Sequence, residues 1–217
     1  KISMSYTGQI SNSINTKEDK LMHSNLVKDW RNGWNHNIPI SGNFTLFNYI
    51  NVSPSFNFRD RMYTHKVMQS WDAANQRVQN DTIYGFNNVY DYNFSIGLST
   101  KLYGFFVPNR KIFGDKFQTI RHVITPTISY SYAPDFSASR YGYYKTYQKT
   151  NPDGSVELVE YSPYNGQLYG VPGKGKTGNI SFDISNNVEM KIKSDKDSTG
   201  IKKISLIDEL GLAMSYN

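Results

Sequence analysis

Cysteine is absent from all 217 residues, which excludes a disulfide framework, a thiolate metal site and a cysteine nucleophile while leaving the compartment open. Long apolar runs are absent too. With a mean hydropathy of -0.59, no stretch is long and apolar enough for a membrane-spanning helix. A transmembrane barrel remains open, because its strands alternate and average to near-neutral hydropathy. Histidine is scarce: His23, His36, His65 and His122 fall in separate segments without ligand spacing, so neither a metal site nor a cofactor is expected. No Ser, His and Asp grouping surrounds a recognisable nucleophile turn, so no catalytic residue and no enzyme activity are expected. No secretory signal is expected at the opening residues, since Lys1-Ile2-Ser3-Met4-Ser5-Tyr6 already alternates like the middle of a strand. Leu210, Leu212, Met214 and Tyr216 alternate in the same way at the other end. The chain is therefore expected to be truncated at both ends, part of a longer protein.

Aromatic residues make up 15% of the chain against 38% hydrophobic overall, with 17 tyrosines. This is not the composition of a Leu-rich helical core, and the length suits one all-β domain. The net charge of +6 suits an anionic partner, either nucleic acid or the phosphates of lipid head groups. The basic residues are dispersed along the sequence, which argues against nucleic acid.

Ile124, Pro126, Ile128, Tyr130 and Tyr132 occupy one face of an extended chain, with Thr125, Thr127, Ser129 and Ser131 on the other. Similar alternation runs from Ile2 to Ile10, from Ile38 to Leu46, from Ile50 to Phe58, from Tyr90 to Phe106, from Ile180 to Ile192 and from Ile204 onward. About seven strands are expected. They are separated by long loops near 11–35, 65–83 and 135–176, tight connections near Phe47-Asn48-Tyr49 and Ser194-Asp195-Lys196-Asp197-Ser198, and a moderate one at 107–114. The turn Asn151-Pro152-Asp153-Gly154 leaves room for a small hairpin inside the longest loop.

Long connections alternating with short ones predict an antiparallel up-and-down meander, part of an outer-membrane β-barrel with loops at one rim and tight turns at the other. The soluble alternative is a β-sandwich, which more often has Greek-key crossings and short turns at both ends. On the barrel reading the polar series faces the lumen, and Asp91, Asn93, Ser95, Lys101, Thr127, Ser129, Asp183, Glu189 and Lys191 are lumen-facing candidates. Three features strain the pattern. Asp208 lies in an apolar series, which requires a rim position or a bulge. Pro39, Pro54 and Pro126 each remove a ladder donor, either at bulges and strand ends or at a weakened seam that opens sideways. Gly170-Val171-Pro172-Gly173-Lys174-Gly175-Lys176-Thr177 matches a phosphate-loop pattern, but the next residues alternate with period two and offer no helix dipole, so a basic loop is expected there.

Phe117-Gln118-Thr119-Ile120-Arg121-His122-Val123-Ile124-Thr125-Pro126, followed by Ser129-Tyr130-Ser131-Tyr132-Ala133-Pro134-Asp135-Phe136, resembles a block of the LptD-like lipopolysaccharide-assembly (organic solvent tolerance) barrels in their Bacteroidetes form. Its residues Arg121, His122, Pro126, Tyr130, Tyr132, Pro134 and Asp135 carry most of the likeness. The stretches Asp29–Ile40 and Tyr49–Phe58 are similar to segments preceding that block in the same group. The resemblance implies a Gram-negative cell outer membrane location and a multi-pass barrel with a lateral seam that inserts lipopolysaccharide into the outer leaflet. It also implies an LptE-like plug lipoprotein in the lumen and a periplasmic lipopolysaccharide bridge reached through an N-terminal domain outside this sequence. The cysteines that form disulfides in better-known members are missing here. Asp81-Thr82-Ile83 resembles the O-glycosylation triplet of exported proteins in that group, making Thr82 a modification candidate. Other outer-membrane transporters, such as a TonB-dependent receptor or a porin, and a surface adhesin are the alternatives. The partners expected are lipopolysaccharide and outer-membrane lipid, with no nucleic acid. Within the 135–176 loop, tyrosines could pack on sugar rings and Lys174 and Lys176 attract phosphates, against the alternative of a merely steric cover.

Overall fold

Period-two alternation becomes strand throughout the computed structural model, which describes residues 1–195 and 200–217. The strands are β1 (Ile2–Met4), β2 (Thr7–Ser13), β3 (Arg31–Gly42), β4 (Phe44–Leu46), β5 (Ile50–Asp72), β6 (Arg77–Ser99), β7 (Leu102–Phe106), β8 (Phe117–Ala133), β9 (Lys145–Thr150), β10 (Val156–Tyr161), β11 (Thr177–Lys193) and β12 (Ile201–Tyr216). The protein is all-β. Every pairing is antiparallel, and all strands except β9 and β10 join one sheet in chain order. Lys196, Asp197 and Ser198 of the expected tight turn lie outside the described residues.

Three breaks in the ladder have one chemical cause. Between β1 and β2, between β3 and β4, and between β6 and β7 the register continues without gaining or losing a residue. The residues facing these breaks include Pro39, Pro54 and Pro126 respectively. Proline has no N–H to donate, so the pair of bonds that its position owes one neighbour is halved. Its carbonyl still accepts, from the Ser5 amide at Pro39 (3.2 Å) and from the Thr100 amide at Pro126 (3.3 Å). The prolines sit at neither bulges nor strand ends. Counted through these breaks, seven runs cross the sheet.

Two stretches expected as loops are partly strand. β2 runs to Ser13 and β3 begins at Arg31, which shortens the irregular stretch to 14–30. Residues 65–83 are mostly ladder: β5 and β6 continue past their neighbours as a two-stranded ribbon and close through residues 73–76. Asp72 sets that turn by accepting from the Ala74 and Asn75 amides (3.1 and 3.2 Å). The ribbon from Arg77 to Phe86 is exposed on both faces, so it needs no apolar series and its sequence does not announce a strand.

Parity assigns the faces in the body of the sheet. Pairs such as Asn57↔Asn93 and Ser129↔Ser181 keep odd numbers opposite odd, and Phe56↔Phe94 and Ile128↔Phe182 keep even opposite even. One face is therefore polar and the other apolar across the seven neighbouring runs. The apolar face is uncovered, with Ile128 47%, Ile180 51% and Leu212 58% exposed. Asp208 falls in a bulge: the β11–β12 register shifts after Asn186, and the Asn187 side chain donates to the Ile207 and Asp208 carbonyls (3.2 and 2.9 Å).

Connections 14–30, 73–76 and 134–176 lie at one end of the sheet, the loop rim, and 47–49 and 107–116 at the other, the turn rim, together with residues 194–195 and 200.

Candidate functional site

The polar face carries the candidates singled out by alternation. Asp91, Asn93, Ser95, Thr127, Ser129, Asp183, Glu189 and Lys191 share it by register, and Lys101 continues it across the break opposite Pro126. Cross-strand hydrogen bonds stitch the face: Ser55 to Ser95 (2.7 Å), Ser3 to Ser41 (2.9 Å) and Ser129 to Ser181. Two ion pairs do the same, Arg61 with Asp91 and Arg121 with Glu189, both at 2.7 Å. Several polar atoms on this face have no protein partner although they are buried: Asn35 Oδ1, Asn37 Oδ1, Asn57 Oδ1, Arg59 Nε and Asn179 Oδ1. A dry neighbour would charge about 1–3 kcal/mol for each. Other side chains of this face, among them Asn93, Ser95, Thr127, Asp183 and Lys191, are half-buried or exposed, which suits water or a polar occupant.

At the loop rim the segment 135–176 folds across the polar face. Its clasp is Asp135, whose Oδ1 accepts from the Ser137 amide (2.8 Å), the Ser137 hydroxyl (2.6 Å) and the Gly175 amide (2.9 Å). One carboxylate thus joins the beginning and end of the segment. Those donors, Ser137 first, hold the Asp135 carboxyl below its ordinary value. Phe136 inserts beside it against Tyr92 and Tyr141.

Tyr143 then reaches the edge of β6 beyond the end of β8, where the Tyr90 peptide has no strand neighbour. Its hydroxyl accepts from the Tyr90 amide (2.8 Å) and donates to the Tyr90 carbonyl (3.1 Å). Burial pushes the Tyr143 phenol up to about 12. On the far side of the β5–β6 ribbon, the Val67 amide donates to the Pro163 carbonyl (2.8 Å) and the Gln167 side chain to the His65 carbonyl (3.0 Å). The chain returns over Gly33, where a Cβ would lie 3.0 Å from the Tyr169 ring. Tyr169 there donates to Ser11 Oγ (2.8 Å), and Tyr63 donates to the Gly170 carbonyl (2.7 Å). The segment straddles the ribbon and satisfies backbone groups on both of its edges.

Tyr63, Val89, Phe136, Tyr143 and Tyr164 form the buried hydrophobic cluster. Tyr141 and Tyr143 stack at 5.5 Å. Tyr143 is therefore structural and unavailable to a sugar ring. The expected small hairpin is present as β9–β10, tipped by Asn151 and Ser155.

The family-like block divides by role. Arg121 pairs with Glu189, and His122 Nε2 meets Asn186 Oδ1 at 3.1 Å on the opposite face. Pro126 makes a ladder break, and Tyr130 lies on the uncovered apolar face. Tyr132 receives the Lys176 ammonium at 5.4 Å, while Pro134, Asp135 and Phe136 dock the loop. The phosphate-loop look-alike is spent on the same docking: Lys174 pairs with Glu160 and lies 4.8 Å from the Tyr144 ring, and strand follows from Thr177. Thr82 lies exposed on the ribbon opposite Val67. No group of metal-ligating residues occurs among the described residues.

The dispersion of cations along the sequence is undone by pairing. The described residues of 101–121 and 189–203 hold nine cations against three carboxylates, a surplus equal to the formal net charge of +6. β7, β8, β11 and β12 bring these segments together at the turn rim. No local spacing announces this, because β8 and β11 are joined by the longest connection in the chain.

A meander with one bare apolar face, one wet polar face and its two longest connections at the same end has the architecture of a β-barrel wall. The family model described as "LptD protein" matches residues 1–217, so the chain belongs to the LptD family, whose role is lipopolysaccharide assembly at the outer membrane. Neither the curated proteins nor the solved structures give a match.

Proposed function

We propose that this chain is a section of the wall of an outer-membrane translocon that inserts lipopolysaccharide into the outer leaflet. The observation that carries this is the opposition of the two faces. The exposed side chains Ile128, Ile180 and Leu212 suit hydrocarbon, while the half-buried and exposed polar side chains of the other face, such as Asn93, Ser95, Thr127, Asp183 and Lys191, suit a hydrated lumen. The polar face then gives the sugar portion of the lipid a wet path while its acyl chains remain in the membrane. The loop rim lies outside the cell, with segment 135–176 as a folded cover over the lumen, and the turn rim lies in the periplasm. On this reading an LptE-like plug lies against the polar face, and the periplasmic bridge delivers substrate from the turn-rim side.

Single cysteines at 93, 94, 95 and 96 test the assignment of faces in intact outer membranes. A water-soluble maleimide is expected to label 93 and 95 and to spare 94 and 96; equal labelling of all four would sink the reading. Orientation is read separately with a protease site engineered beside Asp153 at the tip of the β9–β10 hairpin. Cleavage on whole cells is expected, and cleavage only after the periplasm is opened would invert every strand.

A further inference from the structure

Two anomalies meet on the polar face at the turn rim. Lys191 and Lys203 are directly opposite each other on β11 and β12, an arrangement in which like charges destabilise a sheet. Neither ammonium has an ion pair or a side-chain hydrogen bond among the described residues. On the same face, beside Val123 opposite Tyr103 on β8, Tyr103 and Phe105 stand 55% and 67% exposed. Together with Thr119, Arg121 and Glu189, the two lysines and the two rings line one hollow of about 380 Å³. Arg121 spends one nitrogen on Glu189 and keeps Nε without a partner, so the single carboxylate of the hollow is already engaged.

We propose that this hollow binds a phosphorylated sugar head group, with Lys191 and Lys203 holding the phosphate and Tyr103 and Phe105 covering the sugar. An anion between the two ammonium groups turns their repulsion into attraction. The delocalised guanidinium of Arg121 adds a further positive charge facing the same space. Exposed rings beside a phosphate clamp select a phosphate carried on a sugar over a free one, because each ring offers an apolar body to the sugar's C–H face. The inference rests on the translocon reading for the source of the ligand, which arrives at the periplasmic rim, but not for the chemistry of binding.

The test uses the full-length protein in zwitterionic nanodiscs, with phosphorus NMR line broadening of glucosamine 1-phosphate and of inorganic phosphate as the readout. Glucosamine 1-phosphate is expected to bind more tightly than inorganic phosphate, and K191Q/K203Q to weaken it at least tenfold. Phe105→Ala is expected to weaken the sugar phosphate while leaving inorganic phosphate unchanged. K203E supplies a fold control, since it pairs with Lys191: thermal stability is expected to hold or rise while binding is lost. Equal affinity for the two probes, or indifference to Phe105→Ala, overturns the sugar part of the site. Binding that survives K191Q/K203Q overturns the whole, as does loss of the signal in nanodiscs containing phosphatidylglycerol, which would make the hollow a membrane head-group site. None of these outcomes changes cysteine labelling at 93 to 96, so failure here is distinct from failure of the translocon reading.

Discussion

The two ends of the sheet are stabilised in opposite ways. At the loop rim, Tyr63, Val89, Phe136, Tyr143 and Tyr164 are buried together, and hydroxyls of the cluster bond backbone groups of the β6 edge and of the returning loop. At the turn rim no such cluster forms among the described residues; Phe105, Phe106 and Val107 are exposed and cations outnumber carboxylates. The difference shows how a thin sheet distributes its chemistry. A single layer cannot bury both of its faces, so dry packing arises only where a long connection returns over it, and the rest of the wall depends on what surrounds it.

The largest effect that would break this contrast comes from Tyr143→Ala. It deletes a buried aromatic and both bonds to Tyr90, and should cost about 3–5 kcal/mol of local stability. Hydrogen exchange should rise at Val67, Gln167 and Gly175 and stay unchanged in β7 and β12; acceleration at both rims would mean that the two ends are not independent.

Between the rims, Ile128→Arg on the apolar face should cost about 2–4 kcal/mol if that face meets hydrocarbon, and Ser129→Arg on the polar face much less. Urea unfolding in liposomes measures both, and equal costs would remove the distinction between faces. A smaller effect is expected from Tyr63→Phe, which removes only the hydrogen bond to the Gly170 carbonyl and should cost about 1 kcal/mol. Faster proteolysis near Gly170 without loss of the sheet is the expected readout.

The smallest concerns the Asp135 clasp. Its carboxyl is held below the ordinary 3.8, so its contribution is complete above that value and is lost as pH falls through the lower folded value. Exchange at the Gly175 amide should therefore quicken as pH drops below about 4, after correction for the intrinsic rate. Asp135→Asn should abolish that pH dependence, and an unchanged profile in the variant would show that the clasp is idle.

Alternation over Ile124–Tyr132 and Ile180–Ile192 was readable as strand because each residue there meets one of two unlike surroundings, and period two is the imprint of that difference. The apolar misfit of Asp208 likewise pointed to a rim position or a bulge, and the β11–β12 register contains the bulge. The ribbon strand at 77–86 was not readable for the converse reason: with water on both faces, its residues are under no alternating constraint. Pro39, Pro54 and Pro126 were recognisable as missing donors, but which neighbour would lose the bond depends on which strand lies on which side.

Local patterning by itself determined that the chain makes an antiparallel meander with one polar and one apolar face, since side-chain direction along a strand is set by backbone geometry alone. Only the tertiary structure decided that the Asp135 carboxylate closes a loop on Gly175, that Tyr143 covers the open edge of β6, and that Lys191 faces Lys203 beside Phe105. Those pairings join residues through register across neighbouring strands or through the return of a long loop. A sequence carries no period for either, because the chain between the partners is free to take any path that the sheet allows.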